Sequence, residues 1–337
     1  MEIRLLLGEN QVIQRGRAYI QKQLLTGTYG LSCFGLDSTA RFSNEKGHVF
    51  SAYFIADALI DSLGELERSL LLVRLMSEEV DGHWGYSPRG YYKGDSENPC
   101  FVDADDTAFA LRTYRKLGIF KSQKPLLRYY RKQSSTRFRK KKHPDGFVTF
   151  ATNRTPSLSL FPDSKNNFDL HPEVNANVFN SLLDTDYESL INPNVIVMSQ
   201  SSEGYWHSYF YPGKYYATFH FLELLARVRF CEEQKEKGLT FISESQNQDG
   251  SWGEPGNPYE TALALKSLGF HKIESAQSDK AIVYLIENQE EDGSWSTENV
   301  IWKFHERAND VWISRDTHKT LVTSLCISAL KQFSSPF

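Results

Sequence analysis

A single phrase recurs along this chain, and its spacing restricts the folds open to it more than any other feature. Gln246-Asn247-Gln248-Asp249-Gly250-Ser251-Trp252-Gly253 is echoed by Asn288-Gln289-Glu290-Glu291-Asp292-Gly293-Ser294-Trp295, roughly forty residues later, a period typical of helix-pair repeats. Weaker copies lie upstream at Gly27-Thr28-Tyr29-Gly30, Asp81-Gly82-His83-Trp84-Gly85, Asp145-Gly146-Phe147 and Glu203-Gly204-Tyr205-Trp206, giving about six units. After each turn an apolar run with helical periodicity resumes, as in Thr261-Ala262-Leu263-Ala264-Leu265 and Thr107-Ala108-Phe109-Ala110-Leu111. Another helix precedes the turn. Six helix–turn–helix units of this kind predict an all-α chain that closes into one (α/α)6 barrel over residues 1–337, with an open solenoid as the alternative. Within the phrase, Asp-Gly supplies a tight turn, the Gln amide satisfies a helix end, and Trp252 and Trp295 read as structural staples.

The repeats act as an internal control for Phe101-Val102-Asp103-Ala104-Asp105-Asp106-Thr107-Ala108. Its counterpart in the fifth unit is Gly256-Asn257-Pro258-Tyr259-Glu260-Thr261-Ala262. Asp106 matches Glu260, an acid at a helix start, and capping accounts for it. Asp103 matches Asn257 and Asp105 matches Tyr259, so three carboxyls crowd the second unit alone. Crowded carboxyls cannot all ionise; one stays protonated while its neighbours orient it. The expected outcome is a buried Brønsted acid beside an apolar cavity, with an over-decorated helix cap or a divalent-cation site as the plainer explanations. An isoprenoid alkene is a very weak base without a hydrogen-bonding handle, and protonating it requires an acid of this kind aimed at carbon. Tyr259, in the slot of Asp105, is expected to face the same cavity unless it is a rim residue in contact with solvent.

The Asp-x-Asp-Asp-Thr-Ala motif on such repeats, with Gln…Asp-Gly-Ser-Trp elements, resembles the class II terpene cyclases, including the squalene–hopene cyclases, over nearly the whole chain. The resemblance implies that Asp105 is the general acid and that Asp103 and Asp106 support it. That family commonly carries two helical domains, whereas this chain has room for one barrel, which makes it more similar to the small monodomain class II cyclases that act on farnesylated aromatic acids. In squalene–hopene relatives a His of the third repeat touches the aspartates. Glu173-Val174-Asn175-Ala176-Asn177-Val178 puts Asn177 in that slot, where an amide orients the acid without adding charge.

Carbocations that follow protonation call for aromatic faces, which attract cations without offering a nucleophile. Aromatics make up 13% of the chain, with 22 Phe, 17 Tyr and 6 Trp, more than a helical core requires. By position against relatives, the candidates are Phe50, Tyr86, Phe150, Phe210, Trp302 and Phe304, joined by Tyr259 from the repeat comparison; for each, core packing is the competing role.

A formal net charge of −4 argues against a nucleic-acid partner and for a small prenylated substrate. Scattered cysteines (Cys33, Cys100, Cys231, Cys326) and the lack of a signal peptide or membrane span suggest a cytoplasmic protein. Shallow membrane contact stays open. The run Arg137-Phe138-Arg139-Lys140-Lys141-Lys142-His143 reads as a solvated helix end rather than an anion site. Asp105-Asp106-Thr107-Ala108-Phe109 does not continue as an aspartate-rich diphosphate-ionising motif. Asp316-Thr317-His318 is similar to the His part of a zinc prenyltransferase site, but no Asp-x-Cys occurs, so no metal or cofactor is expected. The remaining alternatives are a class II cyclase of a prenyl diphosphate and a non-catalytic prenyl-binding barrel.

Overall fold

The computed structural model describes residues 11–35, 40–43, 49–86, 102–132, 145–150, 170–254, 256–307 and 310–334. Six helices form an outer layer: α1 (Gln11–Thr26), α3 (Glu65–Glu78), α5 (Lys124–Tyr129), α7 (Pro193–Ser199), α9 (Glu232–Glu244) and α11 (Ala276–Glu287). Six more alternate with them along the chain: α2 (Val49–Leu59), α4 (Ala104–Lys116), α6 (Pro172–Leu182), α8 (Tyr215–Leu225), α10 (Pro258–Phe270) and α12 (Thr320–Ser334). The second set is the inner ring. Its members are buried on nearly every side, from Pro258 through Leu268 in α10 for example, whereas α9 buries only Gly238, Phe241 and Ile242. A helix buried all round must sit at the centre, and a helix with one apolar stripe must sit outside it. Each inner helix packs against the next, and α12 returns to α2. The ring is therefore closed, and the solenoid alternative falls away.

The repeated phrase is the fastening of this ring. The indole N–H groups of Trp84, Trp206, Trp252 and Trp295 donate to carbonyls of the preceding outer helix, at Leu75, Ile196, Ile242 and Leu285, over 2.7–2.9 Å. Their backbone N–H groups donate to the hydroxyls of Thr107, Thr218, Thr261 and Thr323 on the inner helix, at 3.0–3.1 Å. One residue thus ties the end of one helix to the start of the next. The amide of Gln246 reaches Gln277 on the following outer helix at 2.8 Å, and that of Gln289 reaches Val12 at 2.8 Å, which closes the outer layer. Gly250 and Gly293 each have φ of +89°, and a Cβ there would stand 2.7 Å from the Lys280 carbonyl and 2.6 Å from that of Arg15. Both the backbone conformation and the close approach exclude a side chain.

Strands supplement the helices. β1 (Ser32–Gly35), β2 (Ala40–Ser43), β5 (Trp302–Arg307) and β6 (Asp310–Arg315) form an antiparallel sheet in the order β2-β1-β6-β5, and β3 (Arg131–Lys132) pairs with β4 (Gly146–Phe147). The larger sheet joins both ends of the chain over the N-terminal end of the inner ring. There the Lys303 N–H donates to the Phe210 carbonyl at 2.7 Å, and Tyr86 bonds Ser314 through their hydroxyls. Trp302 and Phe304 lie in β5 of this sheet. No helix among the described residues is long and apolar enough to cross a membrane. The basic run at 137–143 lies outside the described residues.

Candidate active site

The starts of the inner helices converge, and the aspartate cluster lies among them. Asp103 caps α4: its Oδ1 accepts the Asp106 N–H at 2.7 Å, as Asn257 Oδ1 accepts from Tyr259 and Glu260 in α10. Capping therefore belongs to Asp103, and the expectation that it explains Asp106 is corrected. In α10 the Asn257 amide also donates to Glu260 Oε2 at 2.9 Å. Asp103 has no N–H to give, so the matching contact between Asp103 and Asp106 requires a shared proton. Burial and the charge of Asp105 raise Asp103 to about 7, against the hydrogen bonds it shares with Asp106, and burial with the charges of Asp103 and Asp105 raises Asp106 well above the usual carboxylate range.

Asp105 differs from both. Its Oδ1 accepts from Asn177 Nδ2 at 2.9 Å and its Oδ2 from the Tyr211 hydroxyl at 2.9 Å; Asn177 also donates to its main-chain carbonyl at 3.0 Å. Burial pushes Asp105 up to about 6, while the Asn177 and Tyr211 donors and the Arg112 charge pull against it. It is thus the strongest acid of the three. The side chain is 6% exposed, which suits an acid shielded from water and titrating near neutrality.

Aromatic rings surround this carboxyl. Tyr211 stacks on Tyr216 with ring centroids 3.6 Å apart and on Phe50 at 5.8 Å, and Phe50 meets Phe109 edge to face at 5.1 Å. A second group lies beside Asp103. Tyr86 stacks on Trp302 at 4.4 Å, Trp302 lies parallel to Phe210 at 6.3 Å, and Phe210 meets Phe150 edge to face at 6.4 Å. Four of the sequence-nominated rings therefore gather in one group. Tyr259 is buried, at 2% exposure, rather than on a solvent rim, and its field is felt at Tyr216. The side chain of Phe304 lies outside the described residues.

Other residues of the site carry weaker sequence signals. Tyr211 follows Phe210 directly; Tyr216 is the second residue of α8; Arg112 stands seven residues after Asp105, two turns along one face of α4. Glu173, in the stretch that pointed to Asn177, accepts the N–H groups of Tyr209 and Phe210 through Oε1 at 2.8 and 2.9 Å. Burial raises Glu173 to about 7. By contrast, Asp316 accepts backbone N–H groups of Thr320 and Val322 at 3.1 and 2.8 Å, a helix-start role for the segment that resembled a zinc site.

No family model matches the chain, and none of the curated proteins matches it. Solved structures do. A variant of the type II terpene cyclase MstE from Scytonema, in complex with its substrate geranylgeranyl dihydroxybenzoate, superimposes with a TM-score of 0.72 at 16% identity, over 96% of this chain and 97% of its own. A protein from Actinoplanes gives 0.70 at 19% identity, over 96% and 99%. The ent-copalyl diphosphate synthase from Streptomyces platensis gives 0.58 at 16%, over 88% of this chain and 53% of that one. At these identities the likeness shows architecture alone: this chain has the all-α barrel fold of the type II terpene cyclase MstE.

Proposed function

We propose that this protein is a class II cyclase: Asp105 protonates the terminal double bond of a linear prenyl chain, and the resulting carbocation closes rings without metal assistance. The carrying observation is the Asp105 carboxyl, buried at the convergence of the inner helices with one oxygen held by Asn177 and the other by Tyr211, amid Phe50, Phe109, Tyr211 and Tyr216. Such a group, shielded from water, can donate to a carbon held against it, and the surrounding rings stabilise positive charge by their quadrupoles. In the step, the Asp105 O–H bond breaks and a C–H bond forms at the alkene terminus, leaving a carboxylate and a tertiary cation. Both donors remain to stabilise the anion. Asp103 and Asp106 hold a further proton beside it, and Tyr86, Phe150, Phe210, Trp302 and Tyr259 serve as cavity wall.

For the substrate, we propose a prenylated dihydroxybenzoic acid with a farnesyl or longer chain. The support is the likeness to MstE, which binds geranylgeranyl dihydroxybenzoate and yields merosterolic acid A. Incubation with farnesyl and geranylgeranyl dihydroxybenzoate, geranylgeranyl diphosphate and squalene tests both parts. The expected product is a cyclic isomer of one of the benzoates, absent with Asp105→Asn. Turnover that survives Asp105→Asn would overturn the assigned acid, and exclusive use of the diphosphate would replace the head group.

A further inference from the structure

Asn177 does not choose its own orientation. A primary amide offers one acceptor and two donors, and a guanidinium offers donors only. Arg112 Nη1 donates to Asn177 Oδ1 at 2.7 Å, so the amide must turn its nitrogen toward Asp105, where it meets Oδ1 and the main-chain carbonyl at 2.9 and 3.0 Å. Arg112 is itself fixed from two further helices. Its Nη2 pairs with Glu223 on α8 and bonds the Tyr53 hydroxyl on α2, with the guanidinium carbon 4.3 Å above the Tyr53 ring. At 7% exposure its charge is little screened by solvent.

We infer that Arg112 is the positioning residue of the acid: through Asn177 it makes Asp105 Oδ1 the anchored oxygen, leaves Oδ2 to carry the proton, and supplies the fixed positive charge that keeps Asp105 acidic. The inference rests on the cyclase reading. An Asn in the slot of a relative's His orients without charge; here the charge comes from one residue further back. Oδ1 has its side-chain-facing lone pair occupied by an N–H that cannot reverse. The Tyr211 hydroxyl can donate or accept, and Oδ2 is therefore the oxygen free to exist protonated or bare.

The charged and titratable groups around Asp105 and Arg112 come from each neighbouring element. α4 and its cap bring Asp103, Asp106 and Arg112; α6 brings Glu173; the lead into α8 brings Tyr211; α8 itself brings Tyr216 and, beside Arg112, Glu223 and its neighbour His220; α2 brings Tyr53, which bonds Arg112. Burial holds His220 down to about 4 and raises the three tyrosines well above their ordinary value, so these are neutral near pH 7. Against its burial, Arg112 keeps Glu223 ionised, down to about 2. The permanent charges behind Asn177 are thus Arg112 and its partner Glu223, with Asp57 and its partners Lys116 and Lys266 further off.

Opposite substitutions separate this role from a structural one. Asp105 is to be titrated by carbon-13 NMR of carboxyl-labelled aspartate, with Asp105→Asn for assignment, alongside the pH profile of kcat/KM on geranylgeranyl dihydroxybenzoate. Arg112→Gln is expected to move the titration and the falling limb of the profile up by about one pH unit and to reduce the plateau roughly three- to tenfold. Glu223→Gln is expected to move both down. Because Arg112→Gln leaves Glu223 buried and unpaired, the Arg112→Gln/Glu223→Gln double variant is included, with an upward shift expected. Shifts that share one sign in Arg112→Gln and Glu223→Gln, or no shift in Glu223→Gln and the double variant, overturn the inference. Failure of the cyclase reading is distinct: turnover persists in Asp105→Asn while the titration shifts remain measurable.

Discussion

Tyr211 gives its hydroxyl proton to Asp105 Oδ2 and so stabilises the carboxylate more than the neutral acid. Tyr211→Phe keeps the ring against Tyr216 and Phe50 but removes the donor. Asp105 then titrates higher and is a weaker acid, so kcat should fall about tenfold, of the order expected for one hydrogen bond to a charge, while the falling limb of the pH profile moves up. Steady-state rates across pH 5–9 would check this, and an unaltered kcat would remove Tyr211 from the acid's environment. The sequence singled out Phe210, one residue away, because the segment before α8 has no periodicity to say which ring faces inward. A similar limit misplaced the cap: Asp103 and Asp106 lie within one turn, and only the backbone bend decides whose oxygen meets the free N–H. Asn177 was legible through the resemblance to the squalene–hopene cyclases, because it fills the slot of their third-repeat His. Arg112 was not singled out, since a lone Arg two turns along a helix usually reaches solvent.

At the scale of elements, the turn phrase predicts its own sensitivity. Gly250→Ala imposes a left-handed backbone on an L side chain and presses its Cβ to 2.7 Å from the Lys280 carbonyl, which belongs to a helix backbone and cannot swing away. The cost should be about 2–3 kcal/mol. Trp252→Phe keeps a ring but leaves the Ile242 carbonyl without its indole donor, at about 1–3 kcal/mol. Both should lower the melting temperature by several degrees with little change in kcat well below the transition, and calorimetry beside assays at low temperature decides. A Gly250→Ala protein that melts with the wild type would show that the turn has another conformation. The helix pairs were readable because each fastening is local and repeated. The sheet was not: Trp302 and Phe304 alternate with polar residues as a strand would, but their hairpin pairs with β1 from the other end of the chain, and no local pattern encodes that register.

Across the whole molecule the two ends of the ring carry opposite electrostatics. Toward the C-terminal ends of the inner helices, Asp57 binds Lys116 at 2.6 Å and also Lys266 and Ser328. Burial would raise it, but the two ammonium groups hold it well below the carboxylate range. At the N-terminal ends burial raises Asp103, Glu173, Glu260 and Asp316 to about 7, Asp105 to about 6 and Asp106 further. A group raised on folding binds a proton that the unfolded chain has released, so its stabilisation is full below about pH 4, the unfolded value, and is lost as pH climbs through the folded value. Asp57 and Glu223 act oppositely, stabilising above about pH 4 and failing as pH falls toward their depressed values. His220, lowered by burial to about 4, and His271, also lowered by burial, likewise oppose folding in acid, but they are two groups against six. Stability should therefore peak in mild acid, and the melting temperature should drop by several degrees between pH 5 and pH 8. Asp103→Asn should flatten that slope, because the new amide can donate to Asp106 as Asn257 does to Glu260 and releases the shared proton. The same change should impair turnover by removing a carboxyl from the acid's neighbourhood. Calorimetry of both proteins from pH 4 to 8 checks the argument: a melting temperature that rises with pH, or an equal slope in Asp103→Asn, would mean that the cluster is ionised and solvated in the resting protein.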